Sequence, residues 1–198
     1  MKRDLVSLAD WSSEEIWEVL ELAAHLKREL RAGVDHRHIL AGKTLAMVFQ
    51  KPSLRTRVSF ETGMTQLGGH AIYLGPEDIK LGKRETTEDI AIVLSRYVDG
   101  IMARVFDHEI VEELARYATV PVINGLSDLL HPCQALGDML TIWEKRRRLS
   151  GLVLAFIGDG NNVAHSLIHA SARLGLSFRI ACPEGYEPDE AIVDWARD

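Results

Sequence analysis

The sequence predicts an α/β protein in which a parallel sheet is flanked by helices. Short, nearly continuous apolar runs recur along the chain, as expected of buried parallel strands. Between these runs, apolar residues recur at the three- and four-residue spacing of an amphipathic helix. Alternation of this kind builds β-α-β units, whose right-handed crossovers place helices on both faces of the sheet.

Each predicted element follows from this pattern. In chain order, the predicted strands lie at residues 45–49, 71–74, 101–103, 121–123, 152–157 and 178–181. Apolar faces at helical spacing predict helices across residues 16–30, 60–67, 90–97, 110–118, 136–143 and 163–174. Ser12 or Ser13 would cap the first helix, and a polar loop is predicted from Gly75 to about Thr86.

Two domains are predicted, with a boundary at Ser150-Gly151. Residues 1–150 hold enough strands and helices for a complete α/β domain. Residues 151–198 begin a second, Rossmann-like α/β domain, and the chain ends inside another predicted helix. Because two strands are too few to cover both faces of a second sheet, this second domain is expected to be partial.

The composition is that of an ordinary globular protein. Hydrophobic residues make up 46% and charged residues 26% of the 198 residues, and no apolar run approaches the ~20 residues that span a bilayer. The first residues lack the apolar core of a secretory signal, so a cytoplasmic location is expected. The net charge of −6 argues against a nucleic-acid partner, and the basic run at residues 145–148 suits the end of a helix.

The two cysteines, Cys133 and Cys182, have neither the spacing of a metal site nor that of a disulfide framework. Each is expected to be a passive thiol rather than a nucleophile. No site for a metal or an organic cofactor is visible in the sequence, so neither is expected.

A first chemical motif, Ser53-Leu54-Arg55-Thr56-Arg57, lies between a predicted buried strand and a helix. Backbone N–H groups at a helix start lack partners within the helix and carry partial positive charge. Hydroxyl and guanidinium groups crowded beside them predict an oxyanion site, because arginine can donate two parallel hydrogen bonds to a phosphate. The alternative is an ordinary Ser-capped helix, which the position at the carboxyl end of a strand disfavours.

Two further motifs follow later strands. Arg104 ends the strand at residues 101–103 and would share an edge of the sheet with the first motif. The segment His131-Pro132-Cys133-Gln134 opens a long helix, with Pro132 in its first turn. His131 and Gln134 are three residues apart, so both side chains could face one pocket. A capping histidine with a polar neighbour is the alternative interpretation.

The segment Gly158-Asp159-Gly160-Asn161-Asn162 forms a turn after the strand that opens the second domain. It is similar to a dinucleotide-binding turn, but Val163 stands where a third glycine is needed. A nicotinamide site is therefore a weak hypothesis. Asn162 is instead a candidate for holding a polar substrate.

These four motifs together resemble the aspartate/ornithine carbamoyltransferase family. The segments 53–57, 102–104, 131–134 and 158–162 occur in the order and at the spacing of that family, and the resemblance covers essentially the whole chain. The aspartate branch shares the first and third motifs. The Met102-Ala103-Arg104 strand end and the Gly158 turn resemble the ornithine branch.

The resemblance implies carbamoyl transfer from carbamoyl phosphate to the δ-amine of L-ornithine, giving citrulline and phosphate in arginine metabolism. The implied contacts to carbamoyl phosphate are Ser53, Leu54 through its backbone, Arg55, Thr56, Arg57, Lys80, Arg104, His131, Pro132, Cys133 and Gln134. Among these, Thr56, Arg104 and His131 are the implied catalytic residues, which would stabilise the carbonyl oxygen. Gln134 would hold the carbamoyl nitrogen, and Asn162 would contact ornithine.

Two departures from the family pattern matter. Lys80 lies in the loop at residues 78–82, where many ornithine enzymes carry glutamine. In the family this loop serves the site of a neighbouring subunit, so a homotrimer or a multiple of trimers is implied. The family's Asp-x-x-x-Ser-Met-Gly and His-Cys-Leu-Pro segments, which bind ornithine, would lie beyond Asp198. Residues 1–198 alone are therefore expected to bind carbamoyl phosphate but to form citrulline slowly.

Three other functions stay open on the sequence. A related transcarbamoylase could use aspartate, putrescine or an acylated ornithine as acceptor. A nucleotide-binding dehydrogenase fragment is supported only by the turn at residues 158–163. A carbamoyl-phosphate-binding module without activity is the third alternative.

Overall fold

The computed structural model describes residues 2–79 and 85–197. In chain order its elements are α1 (Ser13–Arg31), β1 (Thr44–Phe49), α2 (Leu54–Gln66), β2 (His70–Leu74), α3 (Pro76–Ile79), α4 (Thr87–Leu94), β3 (Gly100–Arg104), α5 (His108–Tyr117), β4 (Val122–Leu126), α6 (Pro132–Arg146), β5 (Val153–Ile157), α7 (Asn162–Leu174), β6 (Ser177–Ala181) and α8 (Glu190–Trp195). The paired strands run parallel, which confirms the predicted α/β class. None of the described helices is long and apolar enough to cross a membrane.

The chain separates into two compact units. The four-stranded unit consists of Glu29–Ser127 with the N-terminal residues up to Val6, and the two-stranded unit consists of Ser7–Arg28 with the residues from Asp128 onward. Part of α1 groups with α6 because Trp17 packs edge-on against Trp143, with ring centroids 5.3 Å apart. The units are spatial groupings, and the predicted domain boundary at residue 150 stays a prediction.

In the four-stranded unit, the strand order is β2-β1-β3-β4. Alternate residues of β1 face opposite sides of this sheet, as the period of a strand requires. Ala46 and Val48 belong to the core cluster that includes α4 and α5, whereas Met47 and Phe49 pack with Met64 of α2. Both faces of β1 are therefore covered, which explains why its sequence is a continuous apolar run.

The carboxyl ends of β1 and β3 are tied together. Phe49 lies opposite Arg104 in the parallel register, and Gln50 donates its backbone N–H to the Arg104 carbonyl at 2.9 Å. The Gln50 side chain in turn accepts from the Phe106 N–H at 3.0 Å. The loop that leads into α2 and the end of β3 thus lie at one edge of the sheet, as the sequence predicted.

The two-stranded unit pairs β5 with β6, and Ile168 of α7 packs with Leu130 and Ile192. Residues 164–171 of α7 are all buried. The expectation that β5 is buried is wrong for this structure, because Val153 is 56% exposed and Ile157 is 88% exposed. Along each strand of the pair, exposed residues alternate with half-buried ones. Packing on one face of the pair accounts for this alternation.

Three elements differ from the sequence prediction for local reasons. The short helix α3 lies inside the predicted polar loop; Pro76 suits its first position, and Asp78 accepts from the Gly75 N–H at 2.8 Å. Strand β4 runs on through Asn124, a polar residue that is buried yet bonded to the backbone of Leu5 and Val6. Helix α8 ends at Trp195, before the chain does.

Candidate active site

The loop between β1 and α2 is organised by Ser53. Ser53 is the N-cap of α2, and its hydroxyl oxygen accepts from the Thr56 N–H at 3.4 Å. The same hydroxyl donates to Thr56 Oγ1 at 3.1 Å. The first turn of α2 carries no acidic residue, so the partial positive charge of its N–H groups is not neutralised within that turn. The Leu54 side chain is 79% exposed, so Leu54 can contribute to the helix start only through its backbone N–H.

Arg104, at the end of β3, lies beside the start of α2. Its Nη1 donates to Thr56 Oγ1 at 3.5 Å, a long contact, and its buried Nε has no hydrogen-bond partner among the described residues. Burial lowers the pKa of Arg104, and the positive charge of Arg55 lowers that pKa further. Arg55 and Arg104 are therefore close enough to repel one another. A guanidinium stays charged under these conditions, so the pair is an unneutralised cationic site.

Within the described part of the chain, neither Arg55 nor Arg104 forms a salt bridge with a carboxylate. Two cations that lie beside the N-terminus of α2 without a counter-ion have the character of an anion site. The arrangement suits a dianion with several acceptor oxygens, which could take hydrogen bonds from both guanidinium groups and from the hydroxyl of Thr56.

Arg57, in contrast, is engaged by its own surroundings. Its Nε donates to Glu61 Oε1 at 2.8 Å, and its guanidinium carbon lies 4.1 Å from the centre of the Tyr73 ring. Part of its charge is therefore compensated by a carboxylate, which distinguishes it from Arg55. Its predicted contact with phosphate stays a prediction.

The third motif lies in the two-stranded unit. His131 is the N-cap residue of α6 and Pro132 occupies the first turn, as predicted, but the imidazole makes no capping hydrogen bond. The alternative of a capping histidine is thus not supported. The His131 N–H donates to Ser166 Oγ at 2.8 Å, and the preceding Leu129 carbonyl contacts His165 Nδ1 at 2.9 Å. Two side chains of α7 therefore hold the His131 loop.

Gln134 and Cys133 follow His131 on α6. Gln134 is exposed, and its Nε2 donates to Asp138 Oδ1 at 3.0 Å. Burial raises the pKa of the Cys133 thiol to about 12, so this thiol stays protonated at neutral pH. That state agrees with the prediction of a passive thiol, because the thiolate is the nucleophilic form.

The turn after β5 is capped by Asn161 rather than by Asn162. The Asn161 side-chain oxygen accepts from the N–H groups of Val163 and Ala164 at 3.0 and 3.3 Å. Asn162 is the first residue of α7. The Gly160 N–H donates to the Tyr186 carbonyl at 2.8 Å, and a Cβ on Gly160 would lie 2.2 Å from the nitrogen of Pro188. The chain's own backbone therefore fills the approach that a dinucleotide phosphate would need, which argues against the dehydrogenase alternative.

Several residues around the motifs were not singled out by the sequence analysis. Gln50 holds the end of β3 by two hydrogen bonds, to the Arg104 carbonyl and from the Phe106 N–H. Ser166 holds the His131 N–H and Asp138 holds the Gln134 side chain, each by one hydrogen bond. Only Asp138 had a signal in the sequence, because it lies four residues after Gln134 on the same helix. Lys80 lies outside the described residues. Among the described residues, no group of three or more His, Cys, Asp or Glu side chains is placed to hold a metal ion.

Comparison with known proteins matches both parts of the chain to family models. Residues 3–144 match the carbamoyl-P binding domain of the aspartate/ornithine carbamoyltransferases, and residues 150–198 match their Asp/Orn binding domain. The anabolic ornithine carbamoyltransferase of Pyrococcus furiosus is 60% identical over 98% of this chain, which spans 61% of that relative.

Solved structures agree with these matches. The structure of ornithine carbamoyltransferase from Pyrococcus furiosus superposes with a TM-score of 0.96 at 60% identity, covering 98% of this chain and 62% of that one. The enzyme from Thermus thermophilus superposes with a TM-score of 0.92 at 47% identity, covering all of this chain and 67% of that one. The chain thus spans a little over three fifths of the length of the curated relatives it matches.

Proposed function

The chain belongs to the aspartate/ornithine carbamoyltransferase family, and on that premise we propose that it binds carbamoyl phosphate as part of an ornithine carbamoyltransferase. The single observation that carries the proposal is the pair Arg55 and Arg104 beside the Ser53-capped start of α2, which forms no salt bridge among residues 2–79 and 85–197. Carbamoyl phosphate supplies the dianion that such a site requires. Ornithine as the acceptor is supported by the names of the relatives at 57–60% identity.

In this proposal, the phosphate group lies at the start of α2. Arg55 and Arg104 bind its oxygens, Ser53 and Thr56 add hydroxyl groups, and the backbone of Leu54 adds an N–H. Binding of the phosphate offsets the repulsion between the two guanidinium groups, because its negative charge attracts both of them. Arg57 is the weaker member of the set, since Glu61 already takes one of its N–H groups.

The proposed reaction joins the δ-nitrogen of ornithine to the carbonyl carbon of carbamoyl phosphate. The neutral amine attacks, the bond between the carbonyl carbon and the bridging phosphate oxygen breaks, and phosphate leaves with that electron pair. The amine loses one proton as citrulline forms, and the departing phosphate accepts it, so that hydrogen phosphate leaves. By resemblance to the family, Thr56, Arg104 and His131 are the proposed donors for the negative charge that develops on the carbonyl oxygen. Arg55 would stabilise the leaving phosphate.

On the acceptor side, Asn162 is the proposed ornithine contact within these residues. Pro132 and Cys133 would shape the site through their position in the first turn of α6. The proposed organisation includes a carbamoyl-phosphate domain at residues 1–150 and the start of an ornithine-binding domain at residues 151–198, which the ranges of the two family matches support.

The proposal extends to assembly and location. Homotrimers or multiples of trimers, with Lys80 serving a neighbouring subunit, are proposed by resemblance to the family. A cytoplasmic location is supported by the two cysteines, which are both free thiols, as is usual in a reducing compartment.

The proposal is tested by calorimetric titration with phosphonoacetamide, a stable analogue of carbamoyl phosphate. We expect the unmodified chain to bind it and Arg55→Ala to weaken binding by about 2 kcal/mol or more, because a charge-assisted contact is lost. Arg37→Ala is the matched control, since Arg37 is an exposed arginine of the same unit paired with Asp35 at 2.7 Å. Equal affinity in all three proteins would remove the α2 site from the proposal.

A second candidate function is a carbamoyl-phosphate-binding module without activity. It is supported by the anion site at the start of α2, which the pair Arg55 and Arg104 forms by itself. Measuring citrulline formation on the sample used for the titration separates the two. Binding without citrulline would favour the module, whereas turnover would favour the enzyme.

A further inference from the structure

The guanidinium of Arg104 has few side-chain contacts to hold it in place. Its Nη1 meets Thr56 Oγ1 at a long 3.5 Å, and its buried Nε has no hydrogen-bond partner among the described residues. The positive charge of Arg55 repels it. The location of this guanidinium is therefore set mainly by the backbone that carries it, which is the end of β3.

Strand β4 pairs irregularly with this end of β3. The register between the two strands shifts after Ala103, so that Arg104 lies opposite Leu126. Gly125 is thereby left as an extra residue on β4, and a bulge of this kind disrupts the ladder locally. One backbone bond follows the shift, from the Val105 N–H to the Leu126 carbonyl at 2.9 Å. Support for the residues after Ala103 must therefore come also from the side of β3 that faces β1.

Gln50, the residue after β1, supplies support from that side. Its backbone N–H donates to the Arg104 carbonyl at 2.9 Å, and its side-chain Oε1 accepts from the Phe106 N–H at 3.0 Å. One residue thus holds both ends of the segment at residues 104–106. A backbone N–H can only donate, so the carboxamide of Gln50 must present its oxygen to this segment.

We propose that Gln50 is a positioning residue for the anion site, which holds Arg104 beside Arg55 through the backbone at residues 104–106. All of these residues belong to the four-stranded unit. The inference rests on the proposed function, in which Arg104 binds the phosphate of carbamoyl phosphate. It adds the group that keeps the two cations together before the ligand arrives.

The gain from such positioning is preorganisation. Two guanidinium groups that are already held side by side need no rearrangement when a dianion binds between them. Without an acceptor at residue 50, the segment at residues 104–106 is free to move in the direction that separates Arg104 from Arg55. Binding must then reverse that movement, and the affinity for the dianion falls.

The hydrogen bond from Phe106 to Gln50 is exposed, which makes its removal a usable test. Water can take the place of either partner when the other is lost, so the cost to the fold is small. A chain without this bond should therefore stay folded, and its affinity for a ligand can be measured.

The experiment measures the calorimetric affinity of matched variants for phosphonoacetamide. Gln50→Met keeps an unbranched side chain but offers no oxygen to the Phe106 N–H, whereas Gln50→Glu retains an acceptor oxygen. Ser95→Ala is the control, because Ser95 Oγ also accepts a backbone N–H, that of Thr119 at 3.0 Å. Ser95 and Thr119 precede β3 and β4, so this contact lies at the opposite edge of the sheet. Circular dichroism and urea denaturation establish that each variant is folded.

We expect Gln50→Met to weaken phosphonoacetamide binding about threefold to tenfold, the size of one hydrogen bond. Gln50→Glu should bind within about twofold of the unmodified chain in roughly 0.3 M salt, where its added charge is largely screened. Ser95→Ala should leave the affinity unchanged. In the Arg104→Ala background, Gln50→Met should have no further effect, because the two residues act as one unit.

Four results overturn the inference. An unchanged affinity in Gln50→Met would mean that Arg104 needs no support from residue 50. A loss that Gln50→Glu does not recover, or one that persists in the Arg104→Ala background, would assign Gln50 another role. An equal loss in Ser95→Ala would point to general destabilisation of the sheet. Failure of the unmodified chain to bind phosphonoacetamide would overturn the proposed function, and the role of Gln50 would fall with it.

Discussion

The starts of α2 and α7 are alike in construction and unlike in chemistry. Each helix follows a parallel strand and begins at a side-chain cap, Ser53 in one case and Asn161 in the other. At α2, two arginines lie beside the helix start, and neither has a salt-bridge partner in the described part of the chain. At α7, the backbone at residues 186–188 closes over Gly160. An anion site therefore needs access and added cations, and a capped helix start alone does not provide them.

The largest effect should come from forcing the α7 turn open. In Gly160→Ala, the new Cβ would lie 2.2 Å from the Pro188 nitrogen, so the segment at residues 186–188 must move. We expect the free energy of unfolding to fall by roughly 1–3 kcal/mol, the usual cost of overpacking. Urea denaturation measures this change.

Gly63→Ala is the matched control, because a Cβ at Gly63 of α2 would meet nothing within 4 Å. Alanine in place of glycine inside a helix should stabilise that variant by up to about 1 kcal/mol. A stable Gly160→Ala variant that binds a nicotinamide dinucleotide would contradict the contrast between the starts of α2 and α7. The turn before α7 would then be able to accept a phosphate.

A smaller effect is expected from the second arginine of the α2 motif. Arg57 is bound to Glu61 and stacked on Tyr73, whereas Arg55 has no such partners among the described residues. Arg57→Ala should weaken phosphonoacetamide binding by about 1 kcal/mol or less, compared with about 2 kcal/mol for Arg55→Ala. Calorimetry on the two variants in the same buffer compares the binding free energy that each one loses. If Arg57→Ala costs as much as Arg55→Ala, the pairing with Glu61 does not withhold its charge from the site.

The smallest effects concern the two caps. Asn161→Ala should destabilise the protein by about 1 kcal/mol, because two N–H groups lose their acceptor, and it should leave phosphonoacetamide binding unchanged. Ser53→Ala should cost less stability, since its bond to the Thr56 N–H is long at 3.4 Å, but it should weaken binding. Thermal denaturation and calorimetry on both variants test this division. A cap variant of α7 that weakens phosphonate binding as much as Ser53→Ala would contradict it.

Sequence reasoning reached the fold class and the edge of the sheet that carries the first motif. Apolar runs such as the one ending at Phe49 identify buried strands, and parallel strands place their carboxyl ends together. The exposed strand β5 could not be predicted in this way, because its residues are as apolar as those of β1 and only the packing partners differ. The predicted strand stops before Asn124 for a related reason, since the backbone and side-chain partners of Asn124 at Leu5 and Val6 are distant in sequence.

The types of residue in the site could be predicted from the sequence, but the contacts that each side chain makes could not. The two arginines of the first motif are equivalent in the sequence, and the structure separates them because only Arg57 reaches Glu61 and Tyr73. From the sequence, Gly160 belongs to a turn that is similar to a dinucleotide-binding turn. The contact with Pro188 that explains this glycine involves a residue about thirty positions away, which local pattern cannot supply. The individual roles of the predicted site residues stay predictions until binding is measured.

The repulsion between Arg55 and Arg104 has a consequence for how firmly the fold holds together. Two like charges at one strand edge oppose the compact state, and a bound oxyanion removes that opposition. Any such anion that binds only the folded chain raises the free energy of unfolding by RT ln(1 + [L]/Kd), about 2.7 kcal/mol at a hundred times Kd. If inorganic phosphate binds this site, phosphate buffer stabilises the folded chain and is not an inert medium. In a cell, the resistance of this chain to heat and to proteases would rise and fall with the supply of free phosphate.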